Sequence, residues 1–323
     1  MRARRGTGAL LALGLAVGVA GCSGGDDAAT TVASAPLASS GAASSSPTPA
    51  SSVSPAALAA EDPAMPGGEY PVYGSDELVK YLARALVNQE DPIDLTSFAG
   101  ASDGFAVDVM DAMSEVIAQD PYVYLDSWDY WDDDPGPRVL PVYLYDDAAA
   151  DGRRAETAAV VDEILATSDV AAAADDDELA LALHDAVIVR TEYDWEASEA
   201  IDSFDTTDAG AALVARSQQA SGALVDGTAV CNGYAQAFLV LAEAAGLDAV
   251  LVTGTTDGSD VFHAWNKVLI DGSWMVVDAT WDDTDVGAPL RDYFLLGDGD
   301  PLLDGREADT DWMVDAYLGD YGE

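Results

Sequence analysis

The feature that most limits what this chain can fold into is an abrupt change of composition near Tyr70. From Ser23 to about Gly67 the chain consists mainly of serine, alanine, proline, threonine and glycine, with few bulky aliphatic side chains. Such a segment cannot bury enough apolar surface to offset the entropy lost on ordering, so residues 22–67 are predicted to be a disordered tether. Folding is therefore predicted to be confined to residues 68–323, enough for one large domain or two closely associated ones.

Residues 1–21 have the pattern of an export signal. Three arginines lie within the first five residues, and the apolar stretch from Leu10 to Ala20 is too short to span a bilayer as a stable helix. The stretch ends in Val19-Ala20-Gly21-Cys22, which resembles the lipobox of bacterial lipoproteins. That resemblance implies a lipidated Cys22 and an exported protein held on the outer face of the bacterial cell membrane. An ordinary cleaved signal with an incidental cysteine is the alternative.

The charge of the chain is strongly one-sided. There are 13 lysines and arginines against 59 aspartates and glutamates, a formal net charge of −46. Such a surface repels nucleic acid and anionic lipid headgroups, so nucleic acid is excluded as a partner and the lipid anchor is the only membrane attachment expected. Solubility or adaptation to salt is the favoured explanation of the acidity, because the acids are spread along the chain. Attraction of cationic substrates is the other explanation.

The spacing of apolar residues predicts an α+β fold. Helices are predicted from a Ser75 cap through Leu86 and over 105–118, 155–167 and 176–190, and strands over 139–145, 249–253, 262–270, 274–277 and 293–296. Gly227 to Val240 runs from a loop into a further helix, which Gly246 ends. This order predicts a mainly helical N-terminal region, residues 68–170, followed by residues 171–323 with a helix packed on an antiparallel sheet.

Cys231, at the start of that further helix, is the candidate reactive group. The chain has two cysteines, and if Cys22 carries lipid, Cys231 has no disulfide partner. A thiol acts as a nucleophile in its thiolate form, which a helix N-terminus or a neighbouring imidazolium stabilises. A buried, inert cysteine is the competing interpretation.

A thiolate that transfers acyl groups needs a positioned imidazole, and the chain has two histidines. His263 lies on one predicted strand and Asp278 closes the next, with the turn Asp271-Gly272-Ser273 between the strands. We expect the two side chains to face each other across the ladder, so that the carboxylate orients the imidazole as in a catalytic triad. His184, on the 176–190 helix, is expected to be partly buried and structural.

Three blocks of the sequence resemble the core of the transglutaminase-like superfamily. They are Gly227-Thr228-Ala229-Val230-Cys231-Asn232-Gly233-Tyr234-Ala235, His263-Ala264-Trp265-Asn266 and Asp278-Ala279-Thr280-Trp281-Asp282. The resemblance implies a papain-like fold in which the cysteine helix packs on the sheet that carries histidine and aspartate. It also implies that Cys231 is the nucleophile, His263 the acid and base, and Asp278 the orienting carboxylate.

Four further residues of these blocks are candidate pocket or supporting residues: Asn232, Tyr234, Trp265 and Asn266. For Trp265, core packing is an equally good interpretation. The backbone N–H of Cys231 is the natural first donor of an oxyanion hole, and the sequence does not identify the second donor.

Together these residues predict a surface-anchored thiol enzyme that transfers an acyl group through a thioester at Cys231. Hydrolysis of an amide in a protein, a peptide or a cell-wall peptide is favoured over cross-linking to an amine. No cofactor is predicted, and no metal site, because the histidines, thiol and acidic loops lack zinc or EF-hand spacing. The alternative is a non-catalytic lipoprotein module that keeps the fold to bind peptide or cell-wall polymer.

Overall fold

The computed structural model describes residues 68–100, 104–256, 261–284, 288–297 and 299–308. The predicted export signal, Cys22 and the predicted tether lie outside these ranges. Within them, no helix has both the length and the apolar character needed to cross a membrane.

The first part of the described chain combines two helices with a small sheet. Its elements are α1 (Glu77–Val87), β1 (Ile93–Asp94), α2 (Phe105–Gln119), β2 (Leu125–Asp133) and β3 (Gly136–Tyr143). The three strands are antiparallel in the order β1-β3-β2 and share one apolar core with α1 and α2. Strand β2 was not predicted, because its residues are acidic and aromatic and lack a clear alternation. Helices nevertheless predominate in residues 68–170.

Helix α1 begins one residue later than a Ser75 cap would place it. Its N-cap is Asp76, whose carboxylate accepts a 2.9 Å hydrogen bond from the Val79 N–H. The backbone N–H and hydroxyl of Ser75 instead donate to the Glu115 carboxylate at 2.6 and 2.7 Å. The prediction was wrong because a tertiary partner on α2 engages the serine hydroxyl.

Five helices connect this part to the second core. They are α3 (Asp147–Leu165), α4 (Ser168–Ala172), α5 (Asp176–Arg190), α6 (Trp195–Asp202) and α7 (Asp208–Ser217). Helix α3 begins at Asp147 rather than 155, because Asp146 caps it through the Ala149 N–H at 2.9 Å. Although α3 falls within residues 68–170, its Val161 and Ile164 belong to the second core. Helices α6 and α7 are short and were not predicted.

The second core lies between these helices and a five-stranded antiparallel sheet. The remaining elements are β4 (Glu192–Tyr193), β5 (Thr228–Ala229), α8 (Cys231–Ala245), β6 (Ala249–Thr256), β7 (Val261–Ile270), β8 (Ser273–Val277), α9 (Ala279–Asp282), β9 (Phe294–Leu296) and β10 (Glu307–Ala308). The strand order of the sheet is β10-β6-β7-β8-β9. Helix α8 is buried from Gly233 to Ala242 and packs on this sheet. The predicted α+β fold, with the cysteine helix against an antiparallel sheet, is confirmed.

Gln119, the last residue of α2, joins the first part of the chain to the sheet. Its side-chain amide donates to the Leu251 carbonyl at 2.7 Å and accepts from the Leu251 N–H at 2.9 Å. On α8, the Gln236 amide donates to the Ala118 carbonyl at 2.9 Å. The end of α2 is therefore fixed both to β6 and to the cysteine helix.

Candidate active site

Cys231 is the first residue of α8, as predicted. The chain leading to it is held by the two-stranded parallel ladder of β4 and β5 and by a 3.1 Å hydrogen bond from the Val230 N–H to the Ser217 carbonyl. These bonds fix the thiol, which is partly exposed, at the end of the helix where backbone N–H groups have no carbonyl partner within the helix. This position favours negative charge on or near the sulfur.

His263 and Asp278 form a buried pair. The distance from His263 Nε2 to Asp278 Oδ2 is 2.7 Å, and the two residues are 7 % and 1 % exposed. The expected placement across the ladder is wrong in detail, because the pairing of β7 with β8 ends at Asn266 and Val277. Asp278 is instead the N-cap of α9, and its Oδ1 accepts from the Trp281 N–H at 3.1 Å. One carboxylate oxygen therefore orients the aspartate through the helix cap, while the other accepts a hydrogen bond from the imidazole.

The thiol and the imidazole are also in contact, because the Cys231 side chain is hydrogen-bonded to His263. Since Nε2 faces Asp278, the nitrogen left for the thiol is Nδ1. Burial alone would lower the pKa of His263, but the charge of Asp278 and the hydrogen bonds to Asp278 and Cys231 outweigh it and raise the pKa to about 10. Burial would raise the pKa of Asp278, but the charges of His263 and Arg306 hold it below its usual value. The site therefore favours an imidazolium beside an ionised Asp278.

This charge arrangement predicts how stability depends on pH. The raised pKa of His263 contributes stability that is complete below pH 6.5 and is lost as the pH rises through about 10. The lowered pKa of Asp278 contributes stability that is lost at the acidic end. We expect the free energy of unfolding, measured with urea, to fall between pH 7 and pH 10. In His263→Gln this decline should be smaller, and an identical decline would contradict the assignment.

Arg306 is a fourth member of the site that the sequence analysis missed. Its Nη2 donates to Asp278 Oδ2 at 2.7 Å, and its side chain is only 5 % exposed. The guanidinium lies over the rings of Trp281, Trp265 and Tyr293 at 4.2, 5.0 and 5.4 Å from their centroids. A single basic residue surrounded by acidic sequence gave no pattern from which this contact could be inferred.

The four candidate supporting residues have different surroundings. The Trp265 ring stacks on His263 with centroids 6.0 Å apart, and Trp281 stacks on the same ring at 5.0 Å. Tyr234 is buried, and its hydroxyl donates to Asp283 at 2.6 Å. Asn266 is 1 % exposed, and its amide donates to the Ala235 carbonyl at 3.0 Å, which ties α8 to β7.

Asn232, the residue after Cys231, lines a cavity of about 320 Å³. Its amide donates to the Gln218 carbonyl at 2.8 Å. The walls are mostly apolar and come from the first part of the chain, from α6, α7 and the loop between them, and from α8. They include Ile117, Val123, Leu125, Trp128, Phe204 and Val214. Of the four candidates, Asn232 alone lines this cavity.

His184 belongs to a buried network that adjoins the site. It is 0 % exposed, and its two ring nitrogens lie 3.1 Å from Asp282 and 3.1 Å from Asp185. Asp282 also accepts from the Tyr293 N–H at 3.0 Å, and Asp185 pairs with Arg291 at 2.6 Å. These contacts tie α5 to the chain that follows Asp278, in keeping with the structural role expected for His184. The described residues contain no His, Cys, Asp and Glu cluster able to hold a metal ion.

A comparison with known protein families identifies the region that contains the three groups of this site. The sequence model of the transglutaminase-like superfamily matches residues 165–279, a stretch that includes Cys231, His263 and Asp278. The chain contains a transglutaminase-like domain. The predicted family is thereby confirmed.

Among curated proteins similar to this chain is the Kyphoscoliosis peptidase of Mus musculus, 32 % identical over 102 residues. The match covers 28 % of this chain and 13 % of the mouse protein, so the chain spans a small part of that relative's length. A solved TGase structure is 16 % identical, with a TM-score of 0.36, over 50 % of this chain and 46 % of its own. A candidate cysteine protease from Cytophaga hutchinsonii is 15 % identical, with a TM-score of 0.29, over 48 % of this chain and 61 % of its own.

Proposed function

We propose that the transglutaminase-like domain is a thiol hydrolase that cleaves amide bonds through a thioester at Cys231. The observation that carries the proposal is the contact of three groups in the order thiol, imidazole and carboxylate, from Cys231 through His263 to Asp278. These are the nucleophile, the acid and base, and the orienting group that acyl transfer requires.

In this proposal the Cys231 thiolate attacks the carbonyl carbon of the amide and forms a carbon–sulfur bond. The carbonyl oxygen becomes an oxyanion, for which the Cys231 backbone N–H is the first donor. The imidazolium of His263 gives its Nδ1 proton to the nitrogen of the leaving amine as the carbon–nitrogen bond breaks. Asp278 keeps the Nε2–H directed away from the reaction throughout.

The thioester is then hydrolysed. His263, now neutral, removes a proton from water, and the hydroxide attacks the thioester carbonyl. The carbon–sulfur bond breaks, the carboxylic acid leaves, and the thiolate and imidazolium are restored. A primary amine in place of water would give a cross-link by the same steps, so the acceptor distinguishes hydrolysis from transamidation.

The cavity beside Asn232 supports a preference for an apolar side chain in the substrate. Its walls include Asn232 but not Cys231, His263 or Asp278, and their apolar character favours burial of an aliphatic or aromatic group. We further propose that the lipid on Cys22 holds the enzyme at the outer face of the membrane, where protein and cell-wall peptides are the accessible amides. The lipobox resemblance supports this location.

The reactivity of the thiol tests the proposal without knowledge of the substrate. We expect iodoacetamide to alkylate Cys231 at pH 7 at least about tenfold faster than a free cysteine, because the imidazolium stabilises the thiolate. His263→Ala should reduce the rate to that of an ordinary thiol. Mass spectrometry of the labelled protein measures both rates.

His184→Ala is the control for loss of a buried histidine, because the His184 ring nitrogens lie against Asp282 and Asp185 rather than against Cys231 or Asp278. It should leave the alkylation rate of the folded protein near the wild-type value. An ordinary rate in the wild type, unchanged in His263→Ala, would contradict catalysis and favour the non-catalytic binding module.

A further inference from the structure

The contact of Arg306 with Asp278 extends the site beyond the three family blocks. We infer that Arg306 is a positioning residue of the thiol reaction, which fixes Asp278 Oδ2 in place for His263. The inference rests on the proposed function, because it concerns the same reacting groups. Arg306 acts through Asp278, whose Oδ2 lies 2.7 Å from the guanidinium and 2.7 Å from the imidazole.

The outermost strand of the sheet delivers this arginine. Arg306 directly precedes β10, whose Ala308 pairs with Gly254, and Gly254 in turn pairs with His263. Directly paired residues of antiparallel strands share a face, and residues two apart on one strand do so as well. Arg306 and His263 are therefore on the same face. Gly254 permits the approach, because a Cβ there would overlap the carbonyl oxygen of Glu307.

Aromatic rings hold the guanidinium in this position. Trp265 and Trp281 contact both the guanidinium and the imidazole, so the two cations share one aromatic surface. The Nε and Nη1 of Arg306 are buried and have no hydrogen-bond acceptor among the described residues. Cation–π attraction, which is strongest for tryptophan, therefore supplements the Asp278 contact. A planar, always charged group suits this cage better than a lysine would.

The guanidinium also changes the charge balance of the pair. Its positive charge helps to keep Asp278 ionised and repels the neighbouring imidazolium. In the described part of the chain, the other titratable groups around the pair are the Cys231 thiol, from α8, and the phenol of Tyr293, ahead of β9. Without Arg306, the imidazolium of His263 would no longer be repelled by the guanidinium and would be stabilised more strongly by Asp278. The pH at which His263 loses its proton should then rise.

The test is the pH dependence of Cys231 alkylation by iodoacetamide in Arg306→Gln. At alkaline pH the alkylation rate should change where His263 loses its proton, and we call this part of the profile the alkaline limb. We expect it to move upward by about one pH unit. The alkylation rate at pH 7 should fall severalfold, toward but not below the rate of His263→Ala, because the imidazole is no longer held in register. Arg138→Gln is the matched control, since Arg138 also pairs with an aspartate and contacts a tryptophan ring, in the remote β2–β3 hairpin. It should leave the profile unchanged.

A lower melting temperature with an unchanged profile would show that Arg306 is merely structural and would overturn the inference. That result is distinct from failure of the proposed function, in which the wild-type thiol itself would lack His263-dependent reactivity. Arg306→Lys decides the matter if Arg306→Gln does not fold. The lysine keeps the charge but not the planar fork, so the alkaline limb should stay in place while the rate at pH 7 falls severalfold. A wild-type rate in Arg306→Lys would overturn the inference.

Discussion

Cys231→Ala is expected to reduce amide hydrolysis by about 10⁶-fold, because removal of the nucleophile leaves no route to the thioester. The measurement is kcat/KM on the best substrate from a panel of peptide amides with aliphatic, aromatic and charged side chains. Stability should change little, since the thiol is partly exposed and alanine is the most favourable residue for a helix. Urea unfolding should therefore agree with the wild type to within about 1 kcal/mol.

Cys231→Ser is the control for shape, since it preserves the size of the side chain but replaces the nucleophile with a poor one. Both variants should still bind the substrate. Turnover by Cys231→Ala at more than a few per cent of the wild-type rate would contradict the proposed nucleophile. Binding without turnover in the wild type would favour the non-catalytic module instead.

Asp278→Asn should damage both activity and stability. Activity should fall by about 10⁴-fold, because an amide cannot hold the imidazole in the required tautomer or stabilise its cation. The free energy of unfolding should fall by about 3–5 kcal/mol, because the buried guanidinium of Arg306 loses the charged partner that the described residues provide. Steady-state kinetics and urea unfolding measure the two losses separately.

The double variant Asp278→Asn with Arg306→Met separates these two effects. Removing the unpaired guanidinium should recover most of the stability, since methionine fills the aromatic cage without a charge. Activity should remain at the level of Asp278→Asn. The prediction would be contradicted if the single variant were as stable as the wild type, or if the double variant were no more stable than the single one. Either result would mean that the buried guanidinium does not depend on Asp278 for its stability.

The predictions that succeeded depended on local patterns. Three contiguous blocks fixed the order of Cys231, His263 and Asp278, and Gly246 marked the end of α8 because it adopts the left-handed conformation with φ 84°. Aspartate is a favoured N-cap residue, but the helix that Asp278 caps has four residues and is too short to give a periodic signal, so it was not predicted. Contacts between elements that are distant in sequence were harder still to predict.

Arg306 illustrates that limit most clearly. It lies 28 residues beyond Asp278 and reaches it through an edge strand of two residues, too short to give a periodic signal. The four candidates Asn232, Tyr234, Trp265 and Asn266 were chosen for their membership of the family blocks, which does not distinguish cavity lining from core contact. Their differing surroundings follow from α8 packing on β7, which the sequence predicted only in outline.

The side chain of Gln119 has a consequence for how this protein behaves at high concentration. The N–H and carbonyl of Leu251 point away from β7, along the edge of β6 that, among the described residues, β10 pairs with at Gly254 and Thr255. Unpaired N–H and carbonyl groups at a strand edge can pair with a strand from another molecule and begin aggregation. Because the Gln119 amide bonds both groups, it blocks that edge much as one residue of an additional strand would. The same two hydrogen bonds that join α2 to the sheet thus also discourage the molecules from adding to one another.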